Sequence, residues 1–411
     1  MHIALAERMT AAHAARLAEI GSLAAGLGLR AYLVGGPVRD ALLGRAALDV
    51  DVCVEGDAQR LAERLAEHFH GRLTAHERFG TAVVELAGWH VDVAGTRRET
   101  YPQPGALPVV EPAGLDEDLR RRDFSYNAMA LRLDRDLGLL HDPLHGLNDL
   151  RAGVTRGLHE RTFMDDPTRL VRAARYAARF ACPVEPETQQ WLEEAVSAGA
   201  LGMVTGQRVW GELGRLLSEP TVAEAVDLLE AWGVLDRLGL TAASGAELGL
   251  LPAAQQALGS ADGERALAAL GLLAGERMGE TVAAFGLSAG EADPALAAAA
   301  AARLVPPAVF AAGAKNSTLY EALAPLTGAA LLALWVRHPD ARPALARFRT
   351  LAPGLEIDGH DLQAEGFAPS PGFKPALAAA LRVKLDEGAG REGQLAAARQ
   401  ALQAWRIQQE L

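Results

Sequence analysis

The chain has 411 residues, 50% of them hydrophobic and 22% charged, and a formal net charge of −12. That length accommodates two or three domains with separate cores, while the acidity excludes blanket affinity for polyanions and leaves room only for a local basic face. Two cysteines, Cys53 and Cys182, exclude a disulfide framework and a cysteine-rich metal site; both sit in apolar surroundings, as expected of reduced core thiols in the cytoplasm.

Residues 1–27 read as an opening helix with early charge and no cleavable signal, and Ala-rich runs such as 293–304 are too short to span a bilayer. A soluble protein is expected. The apolar run Tyr32-Leu33-Val34 stops at Gly35-Gly36, and Pro37-Val38-Arg39-Asp40 opens a helical segment. The next apolar run, Leu48-Asp49-Val50-Asp51-Val52, carries two aspartates two positions apart. In a strand such residues share a face, so Asp49 and Asp51 project together while Val50 and Val52 enter the core. Paired carboxylates repel unless a cation lies between them, and hard oxygen ligands suit Mg²⁺. The glycines let backbone N–H groups approach a phosphate, and the following helix offers it a positive end. Triphosphate on one side and metal-binding acids on the other form the equipment for nucleotidyl transfer.

Residues 57–70 have helical periodicity, with Leu61, Leu65 and Phe69 on one face. Strands follow over 72–86 and 89–95, turning at Ala87-Gly88. Asp92 has the alternation that sets it beside the earlier pair; an edge-strand acid is the alternative. Residues 96–118, rich in proline and glycine, read as an irregular loop. Then comes Arg121-Arg122-Asp123-Phe124-Ser125-Tyr126-Asn127, where an arginine fork suits phosphate and a capping cluster with ion pairs is the alternative. His141, His145 and His159 lack metal-ligand spacing.

From Phe163 onward the pattern is helical. Asp166, Arg169, Arg172 and Arg175 recur every three residues and form a stripe along one helix, which suits either solvent or a cleft. Further amphipathic helices cover 184–195 and 207–217, with Arg208 and Glu212 four apart. Residues 221–342 are Ala/Leu-rich helix without identifiable chemistry. The end of the chain has glycine turns at Gly359-His360-Asp361 and Pro371-Gly372-Phe373-Lys374, whose backbone N–H groups can hold RNA phosphates.

The motifs Gly35-Gly36-x-x-Arg39-Asp40, Asp49-x-Asp51, Arg121-Arg122-Asp123-Phe124 and Asp166-x-x-Arg169 resemble the class II tRNA nucleotidyltransferases. These are the bacterial CCA-adding enzymes and their poly(A) polymerase relatives, in the DNA polymerase β-like superfamily. The resemblance implies an α+β fold with a nucleotidyltransferase head over 1–147. An all-α remainder follows, comprising a base-reading neck (148–220), a body (221–345) and a tRNA-binding tail (346–411). It implies catalysis by Asp49, Asp51 and Asp92, with Asp49 and Asp51 holding two Mg²⁺. It further implies nucleotide binding by Gly35, Gly36, Arg39, Arg122, Asp123, Asn127, Asp166, Arg169, Arg172 and Arg175. Arg208 and Glu212 match the element that buttresses the base-reading helix, and the 96–118 loop matches one that switches nucleotide choice, though the paired arginines usual in it are missing. The expected reaction adds C or A from CTP or ATP to the tRNA 3′ end, with CC, A and CCA all open as products. A poly(A) polymerase and a non-catalytic RNA-binding relative are the rivals.

Overall fold

Local sequence decides the first elements of the computed structural model, which describes residues 1–45, 50–76, 80–135 and 137–410. The opening helix is two: α1 (Leu5–Arg8) and α2 (Ala11–Gly26), the second capped by Thr10, whose hydroxyl accepts from the His13 amide. Strand β1 (Arg30–Val34) runs into helix α3 (Gly36–Leu42), with Pro37 in its first turn. Strand β2 (Val50–Glu55) follows, its Val50, Val52 and Val54 all buried. Helix α4 (Ala58–Phe69) is capped by Asp57, which accepts from the Arg60 amide at 3.0 Å, and turns Leu61 and Leu65 into the core. The stretch 72–86 divides into two strands, β3 (Arg72–His76) and β4 (Thr81–Leu86), and β5 (Trp89–Gly95) follows the expected turn at Ala87-Gly88.

Residues 96–118 depart from the expected irregular loop. They contain a two-stranded arm, β6 (Arg97–Thr100) and β7 (Val109–Pro112), and the start of helix α5 (Leu115–Arg120). The cross-strand pair Arg98–Glu111, at 2.8 Å, helps hold the arm, while Pro102, Pro104 and Pro108 are confined to its connection. Strands β8 (Ala130–Arg132) and β9 (Leu140–His141) complete a seven-stranded sheet of order β3-β4-β5-β2-β1-β8-β9. Among the described residues only the β2–β5 pair in it is parallel, and its register sets Asp51 opposite Asp92. Helices α6 (Gly146–Ala152), α7 (Thr162–Asp165), α8 (Arg169–Phe180), α9 (Pro186–Ser197) and α10 (Gly206–Leu217) follow.

The chain divides into two compact units. The first comprises Met1–Leu216 with Glu224–Arg237, and the second Leu217–Ala223 with Leu238–Leu411. In the second, helices Asp262–Ala274, Ala289–Leu304 and Gly328–Arg337 pack through alanine and leucine faces. Its last helices, Gly359–Ala364, Phe373–Glu387 and Arg391–Glu410, enclose a small core of Ile357, Leu362, Ala376, Ala380, Ala398 and Leu402. Among the described residues no single helix is long and apolar enough to cross a membrane.

Candidate functional site

Within the first unit, β1 delivers its last residue to a sharp turn. Gly35 adopts φ +71°, ψ −134°, a conformation that L side chains rarely take, and a Cβ there would lie 3.0 Å from Arg122 Nη1. Beside the turn, β2 and β5 carry Asp51 and Asp92 as register partners, so both carboxylates leave the same face of the sheet. Asp92 is about half exposed, and its Oδ2 lies 3.7 Å from His90 Nε2. Asp49, the other half of the predicted metal pair, lies outside the described residues. Among those described, no three His, Cys, Asp or Glu side chains converge as a metal-binding group. The donor chemistry of the neighbouring Asp51 and Asp92, oxygen only, fits a hard cation such as Mg²⁺.

Asp118, in the first turn of α5, is fully buried. Its Oδ1 accepts from Arg121 Nε and Nη2 at 2.9 and 2.8 Å, and its Oδ2 from Arg122 Nη2 at 2.9 Å. Burial pushes this carboxyl up, but the two guanidiniums outweigh burial and hold it below the ordinary range. Cys53 packs against the same pair, and burial drives its thiol up to about 11. The Arg122 Nε is buried with no hydrogen-bond partner among the described residues, while its Nη1 approaches the Gly35 turn.

Asp123 gathers the next layer. One oxygen accepts from the Phe124 amide and Asn127 Nδ2, at 2.8 and 3.0 Å. The other accepts from Arg172 Nε and Nη2, at 3.0 and 2.6 Å. Burial works against this charge, yet Arg172 and the hydrogen bonds lower its pKa to about 2. Arg172 also donates to Glu212 on α10 at 3.1 Å, and Glu212 accepts in turn from Arg215.

The stripe is shorter than predicted. Helix α8 begins at Arg169, and Asp166 stands before it in extended backbone, at φ −132°, ψ 92°. Its Oδ1 accepts from the Thr168 amide and hydroxyl, a local turn that competes with helix at this position. Arg169 is also turned inward: Nη1 donates to Thr162 Oγ1 and Nη2 to the Arg121 carbonyl, both at 2.7 Å. Arg208 on α10 braces Asp166 at 3.0 Å and simultaneously donates to the Gly105 carbonyl at 2.8 Å. The tip of the β6–β7 arm is therefore docked, with the Gly105 amide donating to the Met164 carbonyl at 3.1 Å.

These parts enclose a cleft of about 580 Å³. All ten predicted nucleotide-binding residues line it, as does Asp51; Asp92 lies beside Asp51 but outside the wall. Among the described residues seven arginines face five acids there, so an acidic chain presents an arginine-rich cavity. Asp40, Glu99, Tyr101, Arg121, Tyr176 and Arg179 also line it; Asp40 and Arg121 belong to the matched motifs and Glu99 and Tyr101 to the loop matched to nucleotide choice, whereas Tyr176 and Arg179 carry no expected role. Glu99 belongs to the arm and accepts from Arg121 and Tyr101, both at 3.0 Å. Tyr176 and Phe180, four apart on α8, carried a signal as an aromatic i, i+4 pair.

Comparison with known proteins adds an independent line. Residues 31–156 match the poly A polymerase head domain. The A-adding tRNA nucleotidyltransferase of Aquifex aeolicus is 43% identical over 211 residues, 51% of this chain and 26% of that protein. The CC-adding tRNA nucleotidyltransferase of Deinococcus radiodurans is 44% identical over 203 residues, 49% of this chain and 53% of that protein. The chain thus spans about a quarter of the first and half of the second. The Thermotoga maritima CCA-adding enzyme, solved in complex with tRNA, superposes with a TM-score of 0.73 at 27% identity, covering 97% of each chain.

Proposed function

We propose that this chain, whose residues 31–156 match the poly A polymerase head domain, is a tRNA nucleotidyltransferase that extends the tRNA 3′ end from CTP or ATP. The observation that carries the reading is the single cleft holding a glycine phosphate turn, an acid strand and an arginine-rich wall together. The triphosphate lies along Gly35–Gly36, beside the Arg122 guanidinium whose Nη1 approaches that turn. The Asp166 carboxylate, an acceptor only, faces the base edge. Cytosine and adenine present an amino donor there, whereas uracil and guanine present a carbonyl. Arg169 holds the Arg121 carbonyl and so fixes the wall on which that edge rests.

The 3′-hydroxyl oxygen attacks the α-phosphorus, the bond to the β-phosphate breaks, and pyrophosphate departs. Asp92, register partner of Asp51, takes the hydroxyl proton. Asp49 and Asp51 would hold Mg²⁺, which supplies positive charge to the departing phosphates and acidity to the attacking hydroxyl. Residues 1–147 act as head and 148–220 as neck, followed by a body (221–345) and a tRNA-holding tail (346–411).

Incubation with Mg²⁺, each of the four labelled nucleoside triphosphates, and tRNAs ending before, within or after CC tests the whole reading. C and A incorporation is expected, and the tRNA end that is extended identifies the product as CC, A or CCA. Asp51→Ala should lower the rate by roughly 10³-fold or more. A wild-type chain that leaves every tRNA unextended, or a folded Asp51→Ala variant of normal rate, refutes it. Extension of any RNA 3′ end by adenosine alone would establish poly(A) polymerase activity instead.

A further inference from the structure

Two aromatic side chains close a ring of contacts around the phosphate turn. Arg39, one turn into α3, is 3% exposed. Its Nε and Nη2 lie 3.0 and 2.9 Å from Asp40 Oδ1, and its Nη1 donates to Asn127 Oδ1 at 2.6 Å. The guanidinium carbon sits 4.5 Å from the centre of the Phe180 ring and 5.3 Å from that of Tyr176. The two rings stack at 6.0 Å on consecutive turns of α8. Tyr176 accepts from Arg172 Nη2 at 3.2 Å, Arg172 donates to Asp123, Asp123 accepts from Asn127, and Asn127 accepts from Arg39. Each residue of this ring is thereby fixed from two sides. Arg39 lines the cleft, and of its hydrogen bonds the one to Asn127 joins α3 to the Ser125–Asn127 turn while that to Asp40 stays within α3.

We infer that Phe180 and Tyr176 are positioning residues which, through Arg39, hold the Gly35–Gly36 turn in register with the α8 wall. The inference rests on the reading of the cleft as a nucleoside triphosphate site. Such a ligand touches both walls, with phosphates at the turn and base at Asp166, so its affinity depends on the spacing between them. A ligand that touches only the turn does not sense that spacing. Phe180 is absent from the cleft wall, so its influence on a nucleotide passes through the cleft residues it packs against, Arg39 and Tyr176 first and Arg179 at 5.5 Å.

The test titrates CTP and, separately, inorganic pyrophosphate into the full chain with Mg²⁺ present, by calorimetry. Phe180→Leu keeps an apolar side chain but removes the ring face, and should weaken CTP about tenfold while pyrophosphate stays within about twofold. Phe180→Tyr, which restores the face, should restore CTP binding. Phe180→Met, also ringless, must give the same split and serves if the leucine variant fails to fold. Undiminished CTP affinity in a folded ringless variant overturns the inference, and so does equal weakening of both ligands. A wild-type chain that binds neither CTP nor ATP overturns the reading of the cleft instead.

Discussion

Replacing Asp123 by asparagine removes one charge from the centre of the site and tests how the arginine wall is held. An asparagine offers one carbonyl oxygen where the carboxylate offers two. Its amide nitrogen must face either the Arg172 guanidinium or the Phe124 and Asn127 donors, and either choice sets donor against donor. Breaking a buried ion pair costs roughly 3–5 kcal/mol, and the lower end applies because Arg172 is a quarter exposed and keeps Glu212. The titration gives a second figure. The gap between a pKa of about 2 and the ordinary 3.8 corresponds to roughly 2 kcal/mol at neutral pH. Both routes place the loss at about 2–3 kcal/mol. Because the folded pKa is depressed, this contribution is complete above the unfolded value and disappears as pH falls from about 4 towards 2. Urea unfolding of wild type and Asp123→Asn, followed across the transition of the first unit, should show the gap shrinking by roughly 1.5 kcal/mol between about pH 5 and pH 2.5. A gap that stays constant over that range would refute the electrostatic account, leaving lost hydrogen-bond geometry as the cause.

Gly105→Ala should undock the arm: φ is +71° and the new Cβ would lie 2.6 Å from the Met203 carbonyl oxygen. Amide exchange at position 105 should then accelerate roughly tenfold or more, and unchanged exchange would show that the backbone accommodates the methyl group. Cys53 is 2% exposed with its thiol raised to about 11, so it should resist alkylation in the native chain at pH 8 and react fully in urea; rapid native labelling, located by mass spectrometry, would contradict its burial.

Much of the head was legible because its signals are local. The stop of β1 at two glycines, the Asp57 cap and the alternation around Asp51 each depend on neighbours within a few residues. The same-side placement of Asp92 was also legible, since alternation fixes a face even when the pairing is unknown. The arm was not. Three prolines and a glycine mark its connection, and the short strands on either side become visible only when Arg98 meets Glu111 across the pair. Spacing by three suggested that Asp166 shares the α8 face, but the side chain engages the next amide and hydroxyl and holds the backbone out of the helix. Arg39 and Arg169 line the cleft as expected, but their protein partners were not legible. Sequence gives the residue type that suits a phosphate, whereas the partner it meets is decided by chain segments 88 and 48 residues away.

The docked arm contacts the rest of the first unit at its tip through the amide and carbonyl of Gly105. A main-chain latch makes its demand on shape and leaves side-chain identity aside. Residues flanking position 105 can therefore drift without loss of these two bonds, while the glycine itself tolerates almost no replacement. Variation in the arm is then channelled towards its length and its neighbouring side chains. Successive sequences can remodel the cleft edge beside Tyr101 without first having to reinvent the way the arm is held.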